Sequence, residues 1–470
     1  MILFWRAIPK LVLTGFVLLA IALLAQPIQL LTAHIPLSYN EGWNAFHTLR
    51  LRSGGLLYPP ISPAIFINYP PLSFNIVASL SSLIGDDIVA GRIVALIALA
   101  ITTLNVGIAA CRLGANTDLA AIAALAFFCF IALFFSDYIG VDDPQWLAQA
   151  FQSTALVILL RNRRDWLPLA SAACLIVAGG LIKHNVIELP IAVTLWLAIE
   201  DRASLRRWLV ASLVAASIAL AICYALYGQN FTDQVIGSGR GYTLALVGVI
   251  GRTWGPQLAP FVIVAAVGAW LQRRTPNGRF IGIYIAASLT LGFALMTGSG
   301  VIYNTLFDLV IAMMLGCALF CQTIADRTAT TPRAQAMVLA LMSLLFALRF
   351  IMLAPGVTLA GPDVATRQAW TATIDRIRTE PGPVACETLA LCYWASRQSE
   401  IEFFNFGQRA RLDPGYDAAF AAQLQSGAIG LIQLDIDLAA DRLPPALEAI
   451  IAQRYVQLQS TPTILMVPKP

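Results

Sequence analysis

Charged residues are scarce in this chain. Asp, Glu, Lys and Arg make up only 12% of its 470 residues, 58% are hydrophobic, and the mean hydropathy is +0.74. A soluble globular chain of this length does not normally look like this, so the bilayer is expected to be its solvent. The basic residues are spread over short loops and form no patch interleaved with aromatics, which excludes a nucleic-acid partner. A Walker loop, a zinc-spaced Cys/His set and a serine nucleophile elbow are all missing. So are fixed-period repeats and low-complexity linkers. Redox chemistry finds little to use: Cys111, Cys129, Cys174, Cys223, Cys317 and Cys321 fall in or beside apolar runs, where a thiol packs as a small hydrophobe.

What the chain has is long apolar runs. They recur from Leu11 to about Met352, continuous rather than alternating, which excludes a β-barrel and predicts an all-α polytopic membrane protein. The first run, Leu11–Ala33, is too long for a signal-peptide core and reads as a retained anchor. Basic clusters at Arg6/Lys10, Arg112, Arg161/Arg163/Arg164, Arg202/Arg206/Arg207, Arg273/Arg274/Arg279 and Arg327/Arg333 are expected on the cytoplasmic side. One alternating path satisfies all of them. Its spans are Leu11–Ala33, Ile88–Cys111, Leu119–Phe135, Gln145–Leu160, Trp166–Ile182 and Val186–Ile199, then Trp208–Tyr227, Gln257–Leu271, Phe280–Met296, Asn304–Cys321 and Ala334–Met352. That path treats Leu72–Ile84 and Leu244–Ile250 as short interfacial or re-entrant segments. An odd number of spans, about eleven, sends the C-terminus to the extracytoplasmic side.

From about Pro355 the composition changes, which divides the chain into a membrane module, 1–354, and a soluble tail, 355–470. β-rich runs at Val384–Thr388, Ile429–Leu434 and Thr463–Val467 alternate with helical stretches at Asp417–Leu424 and Pro444–Ala452, predicting a small α/β domain. Cys386 and Cys392 could close a small disulfide if the tail lies outside the cytoplasm, or remain two free thiols.

The polar residues gather on the outer loops. Glu41 follows the first span directly, where an acid is either functional or the first-turn acid of the next helix. Paired prolines rigidify the same loop around Asn68 and Tyr69. Asp142 and Asp143 precede Pro144 and the next span; a helix cap needs one acid, not both. Together with Glu41 they could do general-base work or bind a divalent cation. Lys183-His184-Asn185, with Glu188 a turn on, offers cations and donors to a lipid phosphate, although snorkelling alone would explain a lone lysine. Arg240 on a glycine-rich loop is a second cation, and Asn304 and Asp308 close the ring from a later span.

The segments Asn40-Glu41-Gly42-Trp43, Gly54 to Pro59, Asn68 to Leu72, Asp142 to Gln145 and Ile182 to Asn185 share an order and a face. In these the chain resembles bacterial membrane glycosyltransferases of the GT-C fold, the protein mannosyltransferase-like and lipid A aminoarabinose transferase-like group. The resemblance implies inverting transfer of a sugar from a polyprenyl-phosphate donor to an envelope lipid, glycan or protein at the outer face of the bacterial inner membrane. It implies Glu41 as base, Asp143 as the acid of the second outer loop, and Lys183 near the donor phosphate. Asn40 stands where many relatives carry a second acid, which puts a divalent cation in doubt. A transporter or flippase would instead place ionisable residues near the bilayer midplane, where Arg92 and Arg349 are the clearest charges here. A scaffold protein would leave Glu41 and Asp143 as helix caps.

Overall fold

The computed structural model describes residues 2–237, 241–328, 331–353, 360–435 and 443–470. Its membrane module runs α1 (Ile2–Leu30), α2 (Tyr39–Arg52), α3 (Leu72–Ile84), α4 (Asp87–Arg112), α5 (Thr117–Phe134), α6 (Gln145–Arg161) and α7 (Trp166–Ile182). It continues through α8 (Glu188–Glu200), α9 (Arg202–Tyr227), the single turn α10 (Gln229–Phe231), α11 (Ala245–Leu271), α12 (Pro276–Leu295), α13 (Phe307–Thr328) and α14 (Pro332–Leu353). Each expected span coincides with one of these helices. Among the described residues, α1, α4, α5, α9, α11, α12, α13 and α14 carry the eight segments long and apolar enough to cross a bilayer. At 17, 17 and 13 residues, α6, α7 and α8 are shorter, about 20 to 26 Å. The protein is a multi-pass membrane protein.

Capping residues start the helices where the sequence changes character. The Ser38 hydroxyl accepts from Asn40 N at the head of α2, and Asp86 accepts from the amides of Ile88 and Val89 at the head of α4. Asn116 does the same for α5, and Thr275 precedes Pro276 at the first position of α12. The expected separate segment Leu244–Ile250 does not exist. Helix α11 begins at Ala245 and runs unbroken through Pro256 and Pro260, because a proline inside a packed apolar helix removes one backbone bond without ending it.

Helix α13 is the axis of the bundle. The best apolar window in its segment is 83% buried within the protein, against 11% for α1 and for α9, which therefore present most of their surface to lipid. Around it α5, α11 and α12 make direct contact. α3 packs on α2 and α4 at the end of the bundle where α1 and α5 finish and α4 and α6 begin.

The expected 354/355 boundary falls outside the described residues. Beyond it come α15 (Val364–Thr379), β1 (Val384–Cys386), α16 (Leu389–Trp394), α17 (Phe403–Leu412) and α18 (Ala418–Gln425). β2 (Leu431–Leu434), α19 (Pro445–Arg454), β3 (Tyr455–Gln459) and β4 (Ile464–Pro468) complete the chain. The strands form one sheet in the order β1-β2-β4-β3, with β1 parallel to β2 and the other pairs antiparallel. β1, β2 and β4 fall where the sequence put strands. β3 was not expected, because its middle residues Val456, Gln457 and Leu458 are all exposed and show no alternation. Cys386 and Cys392 form a disulfide across 6.0 Å between Cα atoms, which settles the two alternatives for these residues.

Candidate functional site

Arg92 organises the site. It lies one turn inside α4 with no solvent exposure, and all of its guanidinium nitrogens are used. Nη1 donates to the carbonyls of Leu30 (2.7 Å), Leu31 (3.4 Å) and Ala33 (2.9 Å), which finish α1. Nη2 donates to Ile35 O at 2.7 Å, and Nε and Nη2 grip Glu41 as a fork at 2.7 and 2.8 Å. Glu41 also accepts from the amides of Leu37 (2.9 Å) and Asp142 (3.3 Å). Glu41 thus ties the loop after α1 to the loop after α5.

The second loop carries two acids with opposite fates. Asp143 accepts from Lys183 Nζ at 3.0 Å and from Gln145 N at 2.8 Å on one oxygen, and from Asn40 Nδ2 at 2.8 Å on the other. Asp142 is 4% exposed, its Oδ2 has no partner, and its carboxyl presses against Gly91, where a Cβ would overlap it. Burial, with Glu41 and Asp143 close by, pushes the Asp142 carboxyl well above the ordinary carboxylate range. For Lys183, burial works against the ammonium, but Asp143 and Tyr69 outweigh it and its pKa stands above the ordinary lysine value. The ammonium lies 5.5 Å from the centre of the Tyr69 ring. One amide atom of Asn304 lies 3.1 Å from Lys183 Nζ and, taken as the oxygen, accepts from it.

A stripe of amides on α6 continues from this cluster into the bundle. Gln145 pairs with Asn304 at 2.9 Å, and Gln149 donates to Asp308 at 2.6 Å. Gln152 donates to Val186 O at 2.5 Å. Asp308 also accepts from Tyr284 at 2.6 Å, so its two oxygens are satisfied by neutral donors.

The tail covers the first loop. Tyr39 donates to Glu402, which caps α17 by accepting from Phe404 N and Asn405 N, each at 2.9 Å. Asp87 N donates to the Tyr393 hydroxyl at 2.8 Å, Trp394 stacks on His34 at 5.0 Å, and Gly42 meets the backbone of Leu389 and Ala390 with no room for a Cβ. Burial raises the Glu402 carboxyl to about 7 against the pull of its two amide bonds.

The sequence singled out nine residues, and the structure treats them unequally. Asp142, Asp143, Lys183, Tyr69 and Asn304 gather within one cluster. Glu41 adjoins it, with both its oxygens held by Arg92. Asp308 belongs to the deeper α6 network, His184 is exposed on the loop, and Arg240 lies outside the described residues. The sequence offers Arg92 only as a charge within an apolar span; the structure puts it near the head of α4, and its place beside Gly91 in an otherwise apolar helix is the available signal. The α6 glutamines, spaced four and three residues apart on one face, were also legible. His47 lies on the neighbouring face of α2, where burial and then Arg50 lower it to about 3, so it packs as a neutral ring against Trp43. The acids do not fit a divalent cation: Glu41 and Asp143 already face Arg92 and Lys183. Among the described residues no three His, Cys, Asp or Glu side chains converge as ligands.

An apolar helix bundle with a buried polar cluster at one end, roofed by a small mixed-sheet domain, is the GT-C architecture of membrane glycosyltransferases. No protein-family model matches the sequence, and no curated protein matches it. Solved structures do match. ArnT from Cupriavidus metallidurans bound to undecaprenyl phosphate aligns with a TM-score of 0.58 at 12% identity, over 96% of this chain and 98% of that one. The archaeal oligosaccharyltransferase AglB from Archaeoglobus fulgidus, in complex with an inhibitory peptide and a dolichol-phosphate, aligns at 0.59 and 12% identity, covering 97% and 74%. The oligosaccharyltransferase of that organism tethered with an acceptor peptide aligns at 0.56 and 13%, covering 98% and 74%. The chain has their fold.

Proposed function

We propose that this protein transfers a sugar from a polyprenyl-phosphate-linked donor to an extracytoplasmic lipid, glycan or protein acceptor at the outer face of the bacterial inner membrane, with its tail on that side. The observation that carries the reading is Lys183, a buried cation that ends a bundle helix and is bound to a carboxylate of an outer loop. A lipid phosphate is the anion for which that cation would leave Asp143. Two features support the reading. An apolar groove of about 300 Å³ between α4, α6 and α7, lined by Val94, Ile97, Leu147 and Leu175, adjoins the acids and suits an isoprenoid chain. The fold is also that of proteins solved with undecaprenyl phosphate and with a dolichol-phosphate.

In this mechanism the donor phosphate draws Lys183 off Asp143 and frees a carboxylate oxygen. Asp143 then takes the proton of the acceptor hydroxyl or amine as that atom attacks the anomeric carbon. The bond from carbon to phosphate oxygen breaks with inversion, and Lys183 stabilises the departing lipid phosphate. Asp142, whose carboxyl burial pushes well above the ordinary carboxylate range, stands beside them. Arg92 and Glu41 hold the loop.

Purified protein in liposomes, offered polyprenyl-phosphate sugars, is expected to release polyprenyl phosphate. A deletion strain is expected to lack one envelope glycan or glycolipid by mass spectrometry. An unchanged envelope together with no donor consumption would sink the reading. A phosphatase or fluorescent-protein fusion after Pro470 reports the side of the tail independently.

A further inference from the structure

A cavity lies at the end of the bundle opposite the acid–lysine cluster. It measures about 420 Å³ and opens between the first turns of α1, α5 and α14 and the last turn of α13. Arg6 and Lys10 project into it from one face of α1, four residues apart. Both are exposed, and among the described residues neither side chain makes an ion pair or hydrogen bond. The single carboxylate among the described lining residues is Asp118, in the first turn of α5. The other polar groups of the wall are already engaged with each other. Gln322 accepts from Asn116 N and Nδ2, each at 3.0 Å, and Gln322 and Gln335 donate to Asp326 at 2.9 and 3.0 Å. The cations are therefore the free chemistry of this cavity.

Its surroundings say what kind of anion it takes. Trp5, a side chain that favours the level of lipid headgroups, lines the cavity, and Leu119, Ala336 and Leu339 add apolar surface to its wall. α1 presents most of its surface to lipid. We infer that this cavity binds the phosphate headgroup of an anionic phospholipid, whose acyl chains lie along α1 and α14. The inference rests on membrane embedding alone and is independent of the transfer reaction.

The test uses the full chain in detergent, titrated with phosphatidylglycerol or phosphatidylcholine of identical acyl chains and read by native mass spectrometry. Two lysine- or arginine-class contacts to an anionic headgroup predict a preference for phosphatidylglycerol of roughly tenfold to thirtyfold. The Arg6→Gln/Lys10→Gln double variant is expected to lose that preference, and the charge-keeping Arg6→Lys/Lys10→Arg variant to retain it. Equal binding of both lipids by the wild type, or an undiminished preference in the glutamine variant, overturns the inference. Competition separates the sources of phosphate: displacement of phosphatidylglycerol by millimolar inorganic phosphate would make this a free-anion site. Stronger binding of polyprenyl phosphate at the same residues would assign it to the carrier lipid. Either result overturns the phospholipid assignment.

Discussion

Arg92 and Glu41 face each other as a two-pronged ion pair at 2.7 and 2.8 Å with neither side chain exposed, one from the head of α4 and the other from the first turn of α2. The pair fastens the end of α1, the loop that follows it and the Asp142 amide to one point. Breaking a buried pair by removing one partner leaves the other charge without compensation, at a cost of about 3 to 5 kcal/mol. Glu41→Gln is accordingly expected to lose stability as well as transfer. In the Glu41→Gln/Arg92→Met double variant, thermal stability in detergent is expected to recover in part. An equally stable Glu41→Gln single variant would show that the pair does not hold the loop.

Asp142 and Asp143 are expected to respond differently to the same change. Asp143→Asn removes the proposed base and should slow transfer by about 10² to 10⁴. Asp142→Asn keeps the shape of a carboxyl whose pKa burial raises and which takes no part in the proposed proton transfer, so transfer should persist. The raised Asp142 pKa means the folded state holds a proton that the unfolded state gives up, so its contribution to stability is present at low pH and declines as pH rises through the folded value. Asp142→Asn should flatten that decline in a pH series of unfolding midpoints. Loss of transfer in Asp142→Asn with full activity in Asp143→Asn would exchange their roles.

Lys183→Met leaves Asp143 buried without its cation, a cost again of about 3 to 5 kcal/mol. It should also raise the donor requirement or lower turnover by roughly one to two orders of magnitude, the worth of one charge-assisted phosphate contact. In the double variant with Asp143→Asn the stability should return, which isolates the cost of the unpaired buried charge. An unchanged donor curve in liposomes would reduce the lysine to a structural partner of Asp143.

Gly42 lies where α2 meets α16, and Gly42→Ala forces a methyl group into the Leu389–Ala390 backbone. Overpacking of this kind costs about 1 to 3 kcal/mol. Hydrogen exchange is expected to rise in α16 and in residues 34–52 together, since the docked surfaces separate as a unit. Exchange confined to the variant site would mean that the tail docks through its other contacts.

Glu402 joins the tail to Tyr39, and its pKa of about 7 gives the contact a pH dependence. The folded pKa is raised, so its stabilising contribution is complete below the ordinary glutamate value and fades as pH climbs from there through about 7. Tyr416 stands near it on the tail side. A Glu402→Gln variant should show a flatter unfolding midpoint between about pH 4.5 and 7. A slope identical to the wild type would place the titration elsewhere.

The membrane class, the bundle helices apart from the first half of α11, and the α/β character of the tail were legible in the sequence. Those follow from local quantities: a run of some twenty apolar residues has few alternatives to a helix in lipid, and Ser38, Asp86 and Asn116 mark helix starts by capping their own neighbours. It also put Asp142, Asp143, Lys183, Tyr69 and Asn304 on one face, because loop order alone assigns sides. The tertiary structure alone shows which cation each acid faces. Glu41 and Asp143 read alike in the sequence, as outer-loop carboxylates near helix starts. Arg92 is 51 residues from Glu41, and Lys183 is 40 residues from Asp143. No local pattern can assign partners over such distances, and in a buried site the partner decides whether a carboxylate is structural, ionised or neutral.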